Sequence, residues 1–136
     1  MAFTQQLYGD PVSLTTEWGP ISGGGGGVLG WVEVTLGMAM MTANYGYITN
    51  NAGQVSLLMP ATAAQGTVIR VTGKGAGGWK IAQQAGQTIY FGVVTTTTGV
   101  GGYLSSTQQR DSIEIVCITA NTEWNVLSIQ GNVTFN

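Results

Sequence analysis

Apolar and polar residues alternate in short stretches along most of this chain, with the two-residue period of a half-buried β-strand. The stretches are rich in Val, Ile, Thr and Tyr, and turns that contain Gly or Asn separate them. The pattern predicts strands over residues 31–36, 45–48, 54–59, 67–72, 79–83, 87–91, 112–119, 123–129 and 132–135. Residues 37–42 fit a short helix or a strand equally, and residues 95–102 are predicted to form a loop.

The number and spacing of these strands indicate the fold class. Short strands separated by turns every 8–12 residues or so are typical of sandwiches and barrels. We therefore predict an all-β domain over residues 31–136, an antiparallel β-sandwich or jelly-roll-like barrel. Residues 1–30 are predicted to form an extended N-terminal arm with a glycine-rich hinge. Pro11 and Pro20 block regular structure there, and an unbroken glycine run occupies residues 23–27.

Some predicted strands are apolar on both faces. Val126, Leu127 and Ile129 cannot all point to one side of a regular strand. A second buried face is what an oligomer interface provides, so this pattern predicts a multimer. Trp79 and Trp124 alternate with apolar residues, which makes them core or interface anchors. The predicted assembly residues are Trp79, Trp124, Leu127 and Ile129.

Charged side chains are scarce, at 7% of the chain against about 25% in an ordinary soluble domain. The chain contains no His and one Cys, and its net charge is −2. Active sites use clustered titratable groups, and metal sites use His, Cys or paired carboxylates. We therefore expect no enzyme, no catalytic residues and no metal or other cofactor. The negative charge argues against nucleic acid as a partner, and no apolar run approaches the ~18 residues of a membrane-spanning helix.

The glycine-rich segment 73–78 formally matches the dinucleotide fingerprint, with Gly73, Gly75 and Gly78 in the required positions. That motif must open a helix and be followed by an acid about 20 residues later. Here the next segment alternates like a strand, and the next acid is Asp111. We predict a tight connection between two strands, in which the glycines allow close approach to a neighbouring backbone.

The only local cluster of acids is Asp111, Glu114 and Glu123. Paired carboxylates can hydrolyse glycosides, and acidic loops can bind calcium. On a strand, however, Glu114 faces away from its apolar neighbours, which favours a solvated face. Cys117 lies in an apolar strand pattern, and we interpret it as a buried, inert thiol.

The aromatic residues offer one alternative function. Trp and Tyr rings stack on the apolar faces of sugars, and Asn and Gln can supply the hydrogen bonds. Tyr103 follows a glycine-rich loop and is the best candidate for an exposed ligand contact.

From about residue 44 to the end, the order of segments carries a resemblance. The segments are residues 58–61 (LMPA), 73–83 (GKGAGGWKIAQ), 86–89 (GQTI), 91–92 (FG), 95–102, 104–106 (LSS), 111–114 (DSIE) and 120–124 (ANTEW). This part, roughly two-thirds of the chain, resembles a small β-domain of virion surface proteins of tailed bacteriophages, including tail-fibre ends. The resemblance implies a non-catalytic, β-rich and often trimeric protein located on the virion.

Two functions follow as expectations. The first is a homotrimeric capsid decoration or cement protein, whose arm docks on capsid or tail subunits. The second is a tail-fibre or adhesion module that binds cell-surface carbohydrate in the manner of a lectin. A fibre usually has a shaft of heptads or long β-repeats, and this chain has neither. The sequence therefore favours decoration.

Overall fold

The computed structural model describes residues 27–136, and within that part the chain forms twelve β-strands and no helix. The predicted arm, apart from its last residues, lies outside the described residues. The strands are β1 Trp31–Val34, β2 Met38–Met40, β3 Gly46–Thr49, β4 Val55–Leu58, β5 Val68–Gly73, β6 Trp79–Ala82, β7 Thr88–Phe91, β8 Val94–Thr95, β9 Tyr103–Ser106, β10 Ser112–Thr119, β11 Glu123–Gln130 and β12 Val133–Phe135.

The strands form two sheets, in an arrangement compatible with a β-sandwich. The seven-stranded sheet has the order β1-β3-β5-β10-β11-β7-β8, and the five-stranded sheet has the order β12-β9-β6-β4-β2. The all-β prediction is confirmed. The antiparallel prediction is wrong, because both sheets are mixed and five strand pairs in the described part are parallel.

The parallel pairs arise because the first six strands alternate between the two sheets. β1, β3 and β5 lie side by side in one sheet, and β2, β4 and β6 lie side by side in the other. Each strand crosses to the opposite sheet before the chain returns, so the next strand in the same sheet runs in the same direction. This half of the domain therefore consists of three stacked coils, as in a β-solenoid. The remaining strands form mostly antiparallel pairs.

The hydrophobic core lies between the inner faces of the two sheets. Leu57, Ile81 and Leu104 contribute from the five-stranded sheet, and Ile69 and Ile115 face them from the other. All five side chains are fully buried. Buried and less buried residues alternate along β5, β6 and β10, as expected of strands with one face on the core.

Cys117 also lies in the core, as predicted, with 1% of its surface exposed. Burial raises the pKa of its thiol, which keeps the group protonated at neutral pH.

The run of apolar residues in β11 has a local explanation. The register between β10 and β11 shifts by one residue. Glu114 pairs with Ser128, whereas the next residue, Ile115, pairs with Val126. Leu127 therefore has no partner and forms a β-bulge, and it is 56% exposed. The bulge restores the inward direction for Ile129, which packs against the core together with Val126. The failed alternation thus reflects a bulge, and it no longer supports a second buried face along this strand.

The glycine-rich segment 73–78 confirms the predicted close approach. A Cβ atom on Gly75 would collide with the backbone of Asn51, and one on Gly77 would collide with the backbone carbonyl of Gly53. The amides of this loop are already engaged by carbonyls: Gly75 N donates to Thr49 O at 2.9 Å, and Gly77 N donates to Asn51 O at 3.0 Å. The loop therefore serves to pack two coils together.

Candidate functional site

Exposed apolar side chains cluster at one end of the coil stack. We call this cluster the end surface, and it consists of Leu29, Val32, Leu36, Met38 and Met40. Leu29, Leu36 and Met38 are 73%, 72% and 62% exposed. A single exposed apolar residue is ordinary on a protein surface, whereas five of them within one coil make that coil a candidate interaction site.

The position of the end surface follows from the sheet topology. Within residues 27–136, β1 pairs only with β3 and β2 pairs only with β4, so both are edge strands of the described part. The first coil therefore presents an edge of each sheet at the same end of this part of the molecule. Soluble proteins usually protect such edges with charges, prolines or a covering element. In β1 and β2 the only charged side chain is Glu33, and the other residues are Trp, Val, Met and Ala.

A second surface feature is a groove on the outer face of the seven-stranded sheet, with a volume of about 390 Å³. At one end of the groove, the indole ring of Trp31 lies over Gly46 on the neighbouring strand. A Cβ atom at position 46 would lie 2.5 Å from this ring. Trp31 can rest against the sheet only because residue 46 has no side chain. Its ring is therefore turned away from the free edge, and the side chain is 49% exposed.

The strand register extends this groove across the sheet. Trp31 is aligned with Gly46, Arg70, Glu114 and Ser128 on successive strands. A second row, one residue pair further along, runs parallel to the first and consists of Glu33, Ile48, Thr72, Ser112 and Gln130. Most of the groove's lining comes from these two rows.

The charged groups in and beside the groove are paired. Arg70 Nε donates to Glu114 Oε2 at 2.7 Å, which forms an ion pair. Glu33 Oε2 accepts from Asn50 Nδ2 at 2.7 Å and contacts Lys74 Nζ at 3.3 Å. The hydrogen bond from Asn50, and then the Lys74 ammonium, hold the pKa of Glu33 below its ordinary value. The groove therefore carries no net charge at neutral pH.

Hydroxyl and amide groups complete the groove. Thr72 Oγ1 and Ser112 Oγ are 2.6 Å apart and share a hydrogen bond. Ser128 and Gln130 lie at the opposite end from Trp31 and add one hydroxyl and one amide. The groove thus combines one aromatic ring with a row of hydrogen-bonding groups, a combination that suits a ligand with both an apolar face and polar groups.

The assembly residues predicted from the sequence are separated by the structure. Trp79 and Trp124 are fully buried in the core of one chain, so their side chains cannot contact a second copy. Trp79 Nε1 donates to the backbone carbonyl of Asp111 at 2.8 Å. Ile129 packs against the core, which leaves Leu127 as the exposed member of the set.

Tyr103, the predicted ligand contact, lies in β9 on the five-stranded sheet, whereas the groove lies on the seven-stranded sheet. It is half-buried, and the Lys80 ammonium lies 4.4 Å from the centre of its ring. This cation–π contact covers one face of the ring. The face that a sugar would stack on is thus shared with Lys80.

The acidic residues near the C-terminus serve different local contacts. Asp111 is 4% exposed and accepts hydrogen bonds from the Thr107 and Gln108 amides at 2.9 and 2.8 Å. Glu114 belongs to the groove, on an outward face as predicted. Glu123 accepts from Thr119 Oγ1 at 2.6 Å and from the Tyr90 hydroxyl at 3.0 Å. These two hydrogen bonds lower the pKa of Glu123.

Within residues 27–136, no three His, Cys, Asp or Glu side chains come close enough together to hold a metal ion. The same stretch contains no helix long and apolar enough to span a membrane.

Neither protein-family models nor curated protein sequences gave a significant match to this chain.

Proposed function

We propose that the chain is a non-catalytic structural protein of a bacteriophage particle, a homotrimer that decorates the capsid. The end surface is the observation that carries this proposal. It combines exposed Leu, Val and Met side chains with two strand edges that have no partner among residues 27–136. A partner that covers it would bury apolar area and satisfy backbone groups at the same time. The trimeric state and the location on the virion rest on the resemblance of residues 44–136 to virion surface domains.

The exposed terminal coil also favours an assembled protein over a free monomer, because no other element of the described part covers it. Stacked repeats need a polar terminal unit to remain soluble alone. Here the terminal coil is apolar, and the chain enters it beside Leu29, whose amide donates to Asn44 O at 2.7 Å. The low net charge of −2 offers little repulsion between copies. In this proposal the end surface contacts neighbouring copies, and the arm, residues 1–30, reaches capsid or tail subunits.

The proposal predicts that polar substitutions at the end surface will dissociate the trimer. The variant is Leu36→Ser combined with Met38→Ser, because both side chains are largely exposed and neither should be needed for folding. Sedimentation of the full chain should give the mass of three subunits for the wild type and of one for the variant.

A matched control is Val93→Ser combined with Val100→Ser. Both valines are exposed, and Val93 lies beside β8 at the opposite edge of the seven-stranded sheet. This control should remain trimeric. A wild type that sediments as a stable monomer at micromolar concentration would overturn the trimer. Immunogold imaging of particles would test the location, and label on the tail tip instead of the capsid would favour an adhesion role.

A further inference from the structure

The outer-face groove has features that the assembly proposal does not use. Trp31 is a large aromatic residue that is half exposed. Its ring packs on the neighbouring strand because the residue at position 46 is glycine. The indole lies over Gly46, and about half of the Trp31 surface remains exposed. A flat, rigid and exposed ring suits a ligand with a flat apolar face, such as the C–H face of a pyranose ring.

The row that starts at Trp31 supplies hydrogen-bonding groups for the rest of such a ligand. Arg70 presents donors in a planar fork, Glu114 presents acceptors, and Ser128 can do both. Adjacent sugar hydroxyls can each donate and accept, so they match a paired guanidinium and carboxylate. The indole lies over Gly46, and three inter-strand spacings of about 4.8 Å separate Gly46 from Ser128, which gives a length of about 14 Å. That length fits an oligosaccharide better than a single sugar.

The charge balance of the groove indicates the class of ligand. Arg70 is balanced by Glu114, and Lys74 by Glu33. A site for phosphate, nucleic acid or sulfated glycan would carry a positive excess. A docking site for a protein strand would run along a sheet edge, whereas the groove runs across the sheet and, apart from β1 at its Trp31 end, crosses strands that are paired on both sides.

From these observations we propose that the groove binds a neutral oligosaccharide, with one pyranose ring stacked on Trp31 and the following units hydrogen-bonded along the two rows that end at Ser128 and Gln130. This inference is independent of the trimer, because the end surface and the groove use different side chains. Arg70 and Glu114 contact the sugar hydroxyls while keeping their ion pair.

The test uses the full-length protein and isothermal titration with maltotetraose, cellotetraose and chitotetraose as neutral probes. A sulfated and a sialylated oligosaccharide serve as anionic comparators. We expect at least one neutral probe to bind with a dissociation constant below about 1 mM, and more tightly than either comparator. Trp31→Ala should weaken binding about tenfold or more, and Trp31→Phe should retain part of the affinity.

Two further variants make the test specific for the geometry. Gly46→Ala keeps the Trp31 side chain, but the added Cβ atom displaces the indole from the sheet. This variant should therefore weaken binding, as Trp31→Ala does. Phe135→Ala removes another exposed aromatic ring, on the edge strand of the other sheet, and should leave binding unchanged. Thermal unfolding of each variant confirms that it is folded.

Three results would overturn the proposal. They are no binding of any neutral probe to the wild type, unchanged affinity in folded Trp31→Ala protein, and a preference for the anionic comparators. None of them bears on the subunit mass of the Leu36 and Met38 variant, so failure here is distinguishable from failure of the assembly proposal.

Discussion

At the scale of single residues, Asp111 shows how a buried carboxylate can be structural. Burial by itself raises the pKa of Asp111, but the hydrogen bonds from Gln108, Thr107 and the Asn132 backbone outweigh it and hold the pKa below its ordinary value. The Asp111 carbonyl also accepts the indole N–H of Trp79. The carboxylate fixes the turn between β9 and β10 and thereby positions a core tryptophan.

We predict that Asp111→Asn destabilises the domain by about 1–3 kcal/mol at pH 7, because an amide cannot accept all of these hydrogen bonds. A group with a lowered pKa in the folded state stabilises the fold at neutral pH, and this contribution is lost as the pH falls below about 4. The difference between variant and wild type should therefore shrink at pH 3. Urea unfolding at both pH values measures it. A difference that is unchanged at pH 3 would contradict the role of the charge.

Gly77 is a second residue whose identity is dictated by its surroundings. Its φ is not in the left-handed region, so alanine is allowed by the backbone, and the obstacle is the Gly53 carbonyl. We predict that Gly77→Ala lowers the free energy of unfolding by at least about 2 kcal/mol through this overlap. Gly37→Ala is the control, because a Cβ atom there meets nothing within 4 Å. Equal stability of the two variants in chemical denaturation would be the contrary result.

At the scale of elements, the bulge in β11 gives Leu127 and Ile129 different environments. Leu127 is exposed, and Ile129 packs against the core. We predict that Leu127→Ala changes the free energy of unfolding by no more than about 0.5 kcal/mol, because the side chain is exposed. Ile129→Ala should cost about 1–2 kcal/mol, because Ile129 packs on the core. Chemical denaturation of the two variants decides this. A larger loss at Leu127 would mean that the bulge is misplaced or that Leu127 is covered by another subunit.

Several elements could be predicted from the sequence because their own residues determine them. The range 112–119 matches β10, and the range 123–129 reproduces β11 except for its last residue. Residues 38–40 and 103–106 were harder to predict. The first segment is Met-Ala-Met, which has no strand propensity of its own and is held by pairing with β4. The second follows Gly102 directly, and its strand forms by pairing with β6 and β12.

At the scale of the whole molecule, neither the parallel coils nor the groove could be predicted from the sequence. The first coil pairs Trp31 with Gly46, a step of 15 residues, and the next pairs Gly46 with Arg70, a step of 24 residues. Coils of unequal length leave no fixed period that would reveal a repeat. The groove depends on the same pairings, because they bring Trp31 beside Arg70 and Glu114. The glycine that seats the indole is recognisable only once these strands are paired.

The stacked coils also make the domain a spacer of adjustable length. Thr49 and Gly73 occupy equivalent positions on adjacent strands, so one copy of residues 50–73 constitutes one coil. Inserting a second copy after Gly73 would move the apolar end about 4.8 Å further from the antiparallel half, without changing either end. The number of coils therefore sets the distance between a partner bound at the first coil and the surface formed by the last strands. A gene duplication within this stretch could change that reach in single, equal increments.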